Sequence, residues 1–295
     1  MMFSELLAKL PVVNCDGLTF PLRLLGAFRR KSITFADGMT DETTVVYWFQ
    51  SKTFTIDLRL PDGPVTPLLE RQGWVGDTLW DNTVRQLSWT INRSYQPRNQ
   101  WPEPALLSFM GNCVLEFAPS GAYVEDWRQQ SVSGPLLGLR LVSLFNAVTG
   151  QTQVMDGGLI IAGHHAAYAQ SRLPGVDAKL KEAGDMAKAL EKGVVTRDEI
   201  SSYEVSVAVD DQAITHSTRP ERIGQGITYG DFEIAGNGAI ILSKVIDGAP
   251  CQLRFTIDCY VPDFAFSNTT PTTPDAAAWV EQEKAHLKRN AIIMR

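Results

Sequence analysis

The chain has 295 residues, 44% of them hydrophobic and 20% charged, with a formal net charge of −6. This is apolar material for one large or two ordinary domains, and it excludes a wholly disordered chain. The acidic balance argues against a nucleic-acid surface, which needs a concentrated basic face, and no run of 18 apolar residues marks a membrane span.

The N-terminal stretch MMFSELLAKLPVV carries Glu5 and Lys9 inside its apolar part, so it reads as a short amphipathic helix and not as a secretion signal. Pro21 to Phe35 is expected to be a strand with Gly26 as a bulge. Its basic stretch RLLGAFRRK reads as an edge or rim, with a phosphate role as the sharper alternative. Asp37-Gly38 is a turn signal. Thr43 to Gln50 and Thr53 to Leu60 form a hairpin, closed by the turn residues Pro61 to Pro64. Gly73 to Trp80 and Val84 to Ser94 follow as strands. The proline-rich segment Gln96 to Pro104 is either a rigid connector or, through Trp101, a lid over a cavity. Cys113 to Ala118 and Ala122 to Gln130 make another hairpin. Leu136 to Val148 and Gly158 to Tyr168 read as two more strands.

The pattern then changes. Val176, Leu180, Ala183, Ala187 and Leu190 recur at helical spacing, with Gly193 as a C-cap, and Thr196-x-x-Glu199 fits a capping box. Strand character returns at Tyr203 to Val209, Ala213 to Ser217, Gly226 to Ile234, Ala239 to Ile246 and Gln252 to Tyr260. After a polar linker, Pro274 opens a terminal helix. About a dozen short strands with one internal helix and no β-α alternation predict an all-β, antiparallel barrel architecture, as one barrel or two barrel halves. The expected divisions are 1–170 for the first half, 171–202 for a helical connector, and 203–295 for the second half with the C-terminal helix.

No nucleotide-binding, P-loop or nucleophile-elbow motif is present, so no nucleotide is expected. The four cysteines contain no C-x-x-C pair and make no disulfide framework, consistent with a cytoplasmic setting. His164 and His165 are adjacent and would point to opposite strand faces, which disfavours a shared metal. One of them could still serve as a cofactor-free base. The bland alternative is a satisfied core histidine beside a solvent-facing one.

The stretch YWFQSKTFTIDLRLP separates its residues by parity. Phe54, Ile56, Leu58 and Leu60 fall on one face; Thr53, Thr55, Asp57 and Arg59 on the other; Trp48 and Gln50 share a face. Trp89, Ile91, Arg93 and Tyr95 share a face, as do Tyr123, Glu125, Trp127 and Gln129. Aromatic groups beside a few polar anchors suit a small-molecule pocket. On a solvated sheet the same Asp–Arg pairs would be ordinary rim ion pairs.

With W-x-Q, F-x-I-D-L-R-x-P and Y-x-E-D-W-R in order, residues 24–168 resemble the lipocalin-like (calycin) barrel proteins, and more faintly bacterial cofactor-independent enzymes of aromatic-compound catabolism. The resemblance implies a cup that binds a small hydrophobic molecule. Two functions follow as expectations. One is a cofactor-free enzyme, in the sharpest form an oxygenase, on a small aromatic or N-heteroaromatic substrate. His164 or His165 would be its base, Arg59 or Arg93 would stabilise negative charge, Asp57 would orient a partner, and Trp48 and Trp127 would stack on the ligand, with Gln50, Tyr95, Glu125 and Tyr168 completing the pocket. The other is a carrier or sensor without turnover. A third reading makes the C-terminal helix a docking element. No metal, membrane or nucleic-acid partner is expected; the assembly state stays open, a homodimer included.

Overall fold

The computed structural model describes residues 7–98, 103–210, 213–227, 232–236 and 238–291. Nine strands form the first sheet: β1 (Gly26–Phe35), the two-residue β2 (Thr40–Asp41), β3 (Val45–Gln50), β4 (Phe54–Leu60), β5 (Gln72–Asp81), β6 (Gln86–Ser94), β7 (Ala105–Met110), β8 (Cys113–Phe117) and β9 (Tyr123–Gln129). From β3 onward each pairs antiparallel with the next, and β1 pairs with both β3 and β9. That last pairing closes an eight-strand, up-and-down barrel with β2 appended to β1 at its rim. Closure removes the unpaired edges that a long open sheet would expose.

The barrel is complete by Gln129. The next strands, expected to belong to its first half, start a second sheet. It contains β10 (Ser133–Asn146), β11 (Gln151–Ala162), β12 (His165–Gln170), β13 (Glu204–Ala208), β14 (Ile214–Ser217), β15 (Phe232–Ile234), β16 (Ile240–Ile246) and β17 (Ala249–Ala265). Its order is β14-β13-β12-β11-β10-β17-β16-β15, antiparallel and open.

Alternation along β4 explains how the layers meet. Phe54, Ile56, Leu58 and Leu60 point out of the barrel and are all at most 1% exposed. They share one core with Leu136, Ile160, Ala167, Val205 and Cys259 of the second sheet. Burying each such side chain is worth about 1.5–3 kcal/mol. Glycine permits the close approach: a Cβ on Gly158 would lie 2.7 Å from the Phe54 ring, and one on Gly73 would lie 2.8 Å from Val205. Arg140 bridges the layers through Asp77 of β5 at 3.2 Å and Asp156 of β11 at 2.9 Å. The opposite face of the second sheet has its own core, including Leu139, Leu159, Tyr168, Phe232 and Phe255.

Several elements differ from the sequence reading. Gly158 to Tyr168 is not one strand: Gly163, at φ 57°, and His164 turn the chain between β11 and β12. The internal helix is two, α1 (Pro174–Ala183) and α2 (Met186–Glu191), because Gly184 takes the left-handed conformation and Asp185 caps the second by accepting from Lys188 N at 2.9 Å. The capping box at Thr196 and Glu199 opens the short α3 (Arg197–Ser201) as expected. The β1 irregularity lies between Arg30 and Ser32 and not at Gly26. β7, directly after the proline-rich segment, was not among the expected strands. The terminal helix α4 (Pro274–Lys288) is present, capped by Thr273, and buries no residue. The proposed lid residue Trp101 and most of the N-terminal helix lie outside the described residues.

Candidate functional site

Register decides what enters the barrel. Trp48 pairs with Asp57, Gln50 with Thr55, and Val46 with Arg59, so the inner face of β3 and β4 carries all of these side chains. On β8 and β9, Glu116 sits directly opposite Glu125, and Val114 opposite Trp127. Phe28 and Arg30 join them from β1, and Trp74 and Trp89 from β5 and β6. The interior is therefore rich in aromatic and charged groups, with a few aliphatic ones such as Val46 and Val114 among them.

One part is solid. Phe28 stacks on Trp48 with centroids 4.9 Å apart, and Trp48 meets Trp127 and Trp89 edge-on at 5.7 and 6.3 Å. Gln50 anchors this plug: its Oε1 accepts from Trp48 Nε1 at 3.3 Å, and its Nε2 donates to Thr78 Oγ1 and the Ser51 carbonyl, both at 2.8 Å. The remainder is a cavity of about 350 Å³, lined in part by Arg30, Arg59, Trp74, Trp89, Glu116, Tyr123 and Glu125, with Gln96, Arg98 and Glu103 toward its edge. Its volume falls within the range of small-ligand sites. Trp74 and Trp89 lie 5.4 Å apart, and both are half-buried.

Two guanidinium groups and three carboxyl groups occupy the inner wall, with Asp41 at the rim. Arg30 donates to Glu125 Oε1 at 2.7 Å and to Asp41 Oδ2 at 2.9 Å. Arg59 donates through Nε and Nη2 to the two oxygens of Asp57, at 2.9 and 3.3 Å. Its side chain stays 29% exposed, open to the cavity. Among the described residues, the hydrogen-bond donors to Glu116 are both neutral: Tyr123 OH at 3.2 Å and Trp127 Nε1 at 3.1 Å.

The titration behaviour follows from these partners. Burial, reinforced by the neighbouring Glu125 charge, pushes Glu116 up to about 8 against the pull of Arg59. Burial also raises Asp57, with the Arg59 charge opposing it. For Arg59 burial works against the charge, but Asp57, Glu125 and Glu116 outweigh it and raise the group. Burial acts against Asp41 too, yet hydrogen bonds from Thr44 and Thr43 hold it below the usual carboxylate range.

The chain matches no protein-family model, no curated protein and no solved structure. Among the described residues, no group of three or more His, Cys, Asp and Glu side chains could hold a metal.

Of the residues singled out from sequence, Arg59 and Glu125 line the cavity. Trp48, Gln50, Asp57 and Trp127 are inside the barrel but behind that lining, each at most 2% exposed. Trp48 and Trp127 thus hold Trp89 and Glu116 in place and offer no open face for stacking. Arg93 and Tyr95 leave the interior because one extra residue on β6 shifts the register between Val75 and Asp77, reversing which side chains face inward. Both instead meet the connector. Arg93 lies 3.7 Å from Asp177, while Arg172 donates to the Tyr95 carbonyl at 2.9 Å and covers its ring. Tyr168 belongs to the core of the second sheet, donating to Gln170 at 2.9 Å. His164 is an exposed turn residue; His165 is buried on β12, its Nδ1 3.5 Å from Ser131 Oγ. Neither histidine lines the barrel cavity.

Arg30, Trp74, Trp89, Glu116 and Tyr123 complete the site. Strand parity already put Tyr123 with Glu125, and Glu116 alternates with Val114 in the same way. Arg30 was hidden because its flanking basic residues made the stretch look like a rim.

Proposed function

We propose that the barrel is a lipocalin-like cup for a small aromatic or N-heteroaromatic molecule, which enters the open part beside Trp74 and Trp89. What supports this reading is one observation: a cavity of about 350 Å³ inside the barrel combines half-buried indoles with a cavity-facing guanidinium and a buried carboxyl. Flat rings gain roughly 0.5–1.5 kcal/mol from stacked or edge-on contact beyond the area they bury. The polar groups would orient the guest.

If the guest is transformed and not merely carried, proton exchange falls to Glu116, whose position near neutrality suits a general acid or base. Arg59 would then face developing negative charge. The histidines have no part in this mechanism.

The test uses intrinsic tryptophan fluorescence and calorimetry with benzyl alcohol against cyclohexylmethanol. The aromatic alcohol is expected to bind at least tenfold more tightly and to perturb the emission. W89A should remove that preference while circular dichroism stays native. Equal affinities for the two alcohols, or an unaltered preference in W89A, would defeat the proposal.

A further inference from the structure

The charge pairing within the cavity wall goes one step beyond the shape of the guest. Arg30 is taken by Glu125 and Asp41, and Arg59 directs two of its donors to Asp57. Glu116, from β8, lines the same cavity at 6% exposure, with a phenol and an indole as its hydrogen-bond donors and no cation at ion-pair distance among the described residues. The groups around it are Tyr123 and Glu125 on β9, Arg30 on β1, Asp57 and Arg59 on β4, and Asp41 on β2, with Glu103 and Arg98 at the cavity edge. A buried carboxylate without an ion-pair partner is costly, so burial and the Glu125 charge favour the protonated form of Glu116 against the pull of Arg59.

Resting on the cup reading above, we infer that the guest is a cation: a protonated aromatic amine or N-heteroaromatic base whose N–H group pairs with Glu116 in exchange for the carboxyl proton. Trp74 and Trp89 add to the selection, because indole faces attract cations by about 0.5–2 kcal/mol. The step balances. The Glu116 O–H bond breaks, the proton leaves to solvent, and the ligand's positive charge takes its place. A guest that arrives as a neutral base receives that same proton on its nitrogen, and none is released.

The position of Glu116 at about 8 sets the sign of the pH dependence. Below it a cationic guest competes with the proton, so affinity should rise about tenfold per pH unit up to that point and then level off.

Three probes of similar size and different charge make the experiment: benzylamine, benzyl alcohol and benzoate, titrated calorimetrically into the full chain at pH 7 in buffers of different ionisation enthalpy. Benzylamine is expected to bind at least tenfold more tightly than the alcohol, with close to one proton released, and the release should vanish at pH 9. In E116Q the release should disappear and the amine should fall to the affinity of the alcohol. The wild-type proton count stands even if that variant folds poorly. Benzoate binding best would mean that the open edge of Arg59 sets the charge preference, and it would overturn the inference. So would benzylamine binding without proton release. Either result leaves the cup reading standing, whereas failure of all three probes would remove the cup itself.

Discussion

Glu116 and Glu125 occupy facing positions on neighbouring strands, and among the described residues only Glu125 forms an ion pair with an arginine. The consequence reaches stability as well as binding. Glu116 moves from an ordinary value of 4.5 in the unfolded chain to about 8 in the fold. The folded protein therefore holds a proton that the unfolded chain has already lost in this window. The stabilisation is full below 4.5 and is lost as pH rises through 8. E116Q cannot lose that proton and can still accept from Tyr123 or Trp127. Its thermal midpoint relative to wild type should climb between pH 5 and pH 9, by about 2–4 °C for each kcal/mol recovered. Parallel midpoint-against-pH curves for the two proteins would show that Glu116 is ionised throughout.

At the scale of elements, the contact between barrel and sheet depends on missing side chains. Gly158 lies against the Phe54 ring, and an added methyl would also come within 2.8 Å of the Leu139 carbonyl oxygen. G158A is expected to lower stability by about 1–3 kcal/mol in urea unfolding, since rigid neighbours on both sides must shift. Gly175, exposed at the start of α1, has nothing within 4 Å of its would-be Cβ. G175A should instead raise stability by about 0.4–1 kcal/mol, mainly by restricting the unfolded chain. A matching response at both positions would remove the close-approach argument. The β6 irregularity teaches a related lesson. A single extra residue between Trp89 and Tyr95 turns two candidate ligands away from the cavity and gives them to Asp177 and Arg172 instead.

For the whole molecule, Phe54, Ile56 and Leu58 of the barrel share a core with Ile160, Ala167 and Val205 of the sheet. The two layers should consequently unfold in one transition, with tryptophan fluorescence, which reports chiefly on the barrel, and far-ultraviolet dichroism coinciding. Separate midpoints would mean that the shared core does not couple them. By contrast, α4 buries none of its residues. Removing residues 274–295 should move the thermal midpoint by no more than about 1 °C.

Local rules were enough for the strand-rich class, the 43–60 hairpin, the capping box at Thr196 and the separation of β4 into two faces. Each depends on neighbours within a few residues, through side-chain alternation, turn chemistry or a cap. They also put Arg59 and Glu125 among the candidate pocket groups, with rim ion pairs as the alternative. Tertiary structure alone decided that the barrel closes at β9, that a second sheet covers its β4 face, and that His165 falls on that sheet and His164 in the turn before it. It also decided which cavity carboxyls are ion-paired with an arginine. Closure and ion pairing join residues far apart in the chain; Arg30 and Glu125 are 95 positions apart. Such partners are chosen by strand register across the whole barrel, which alternation within one strand cannot specify.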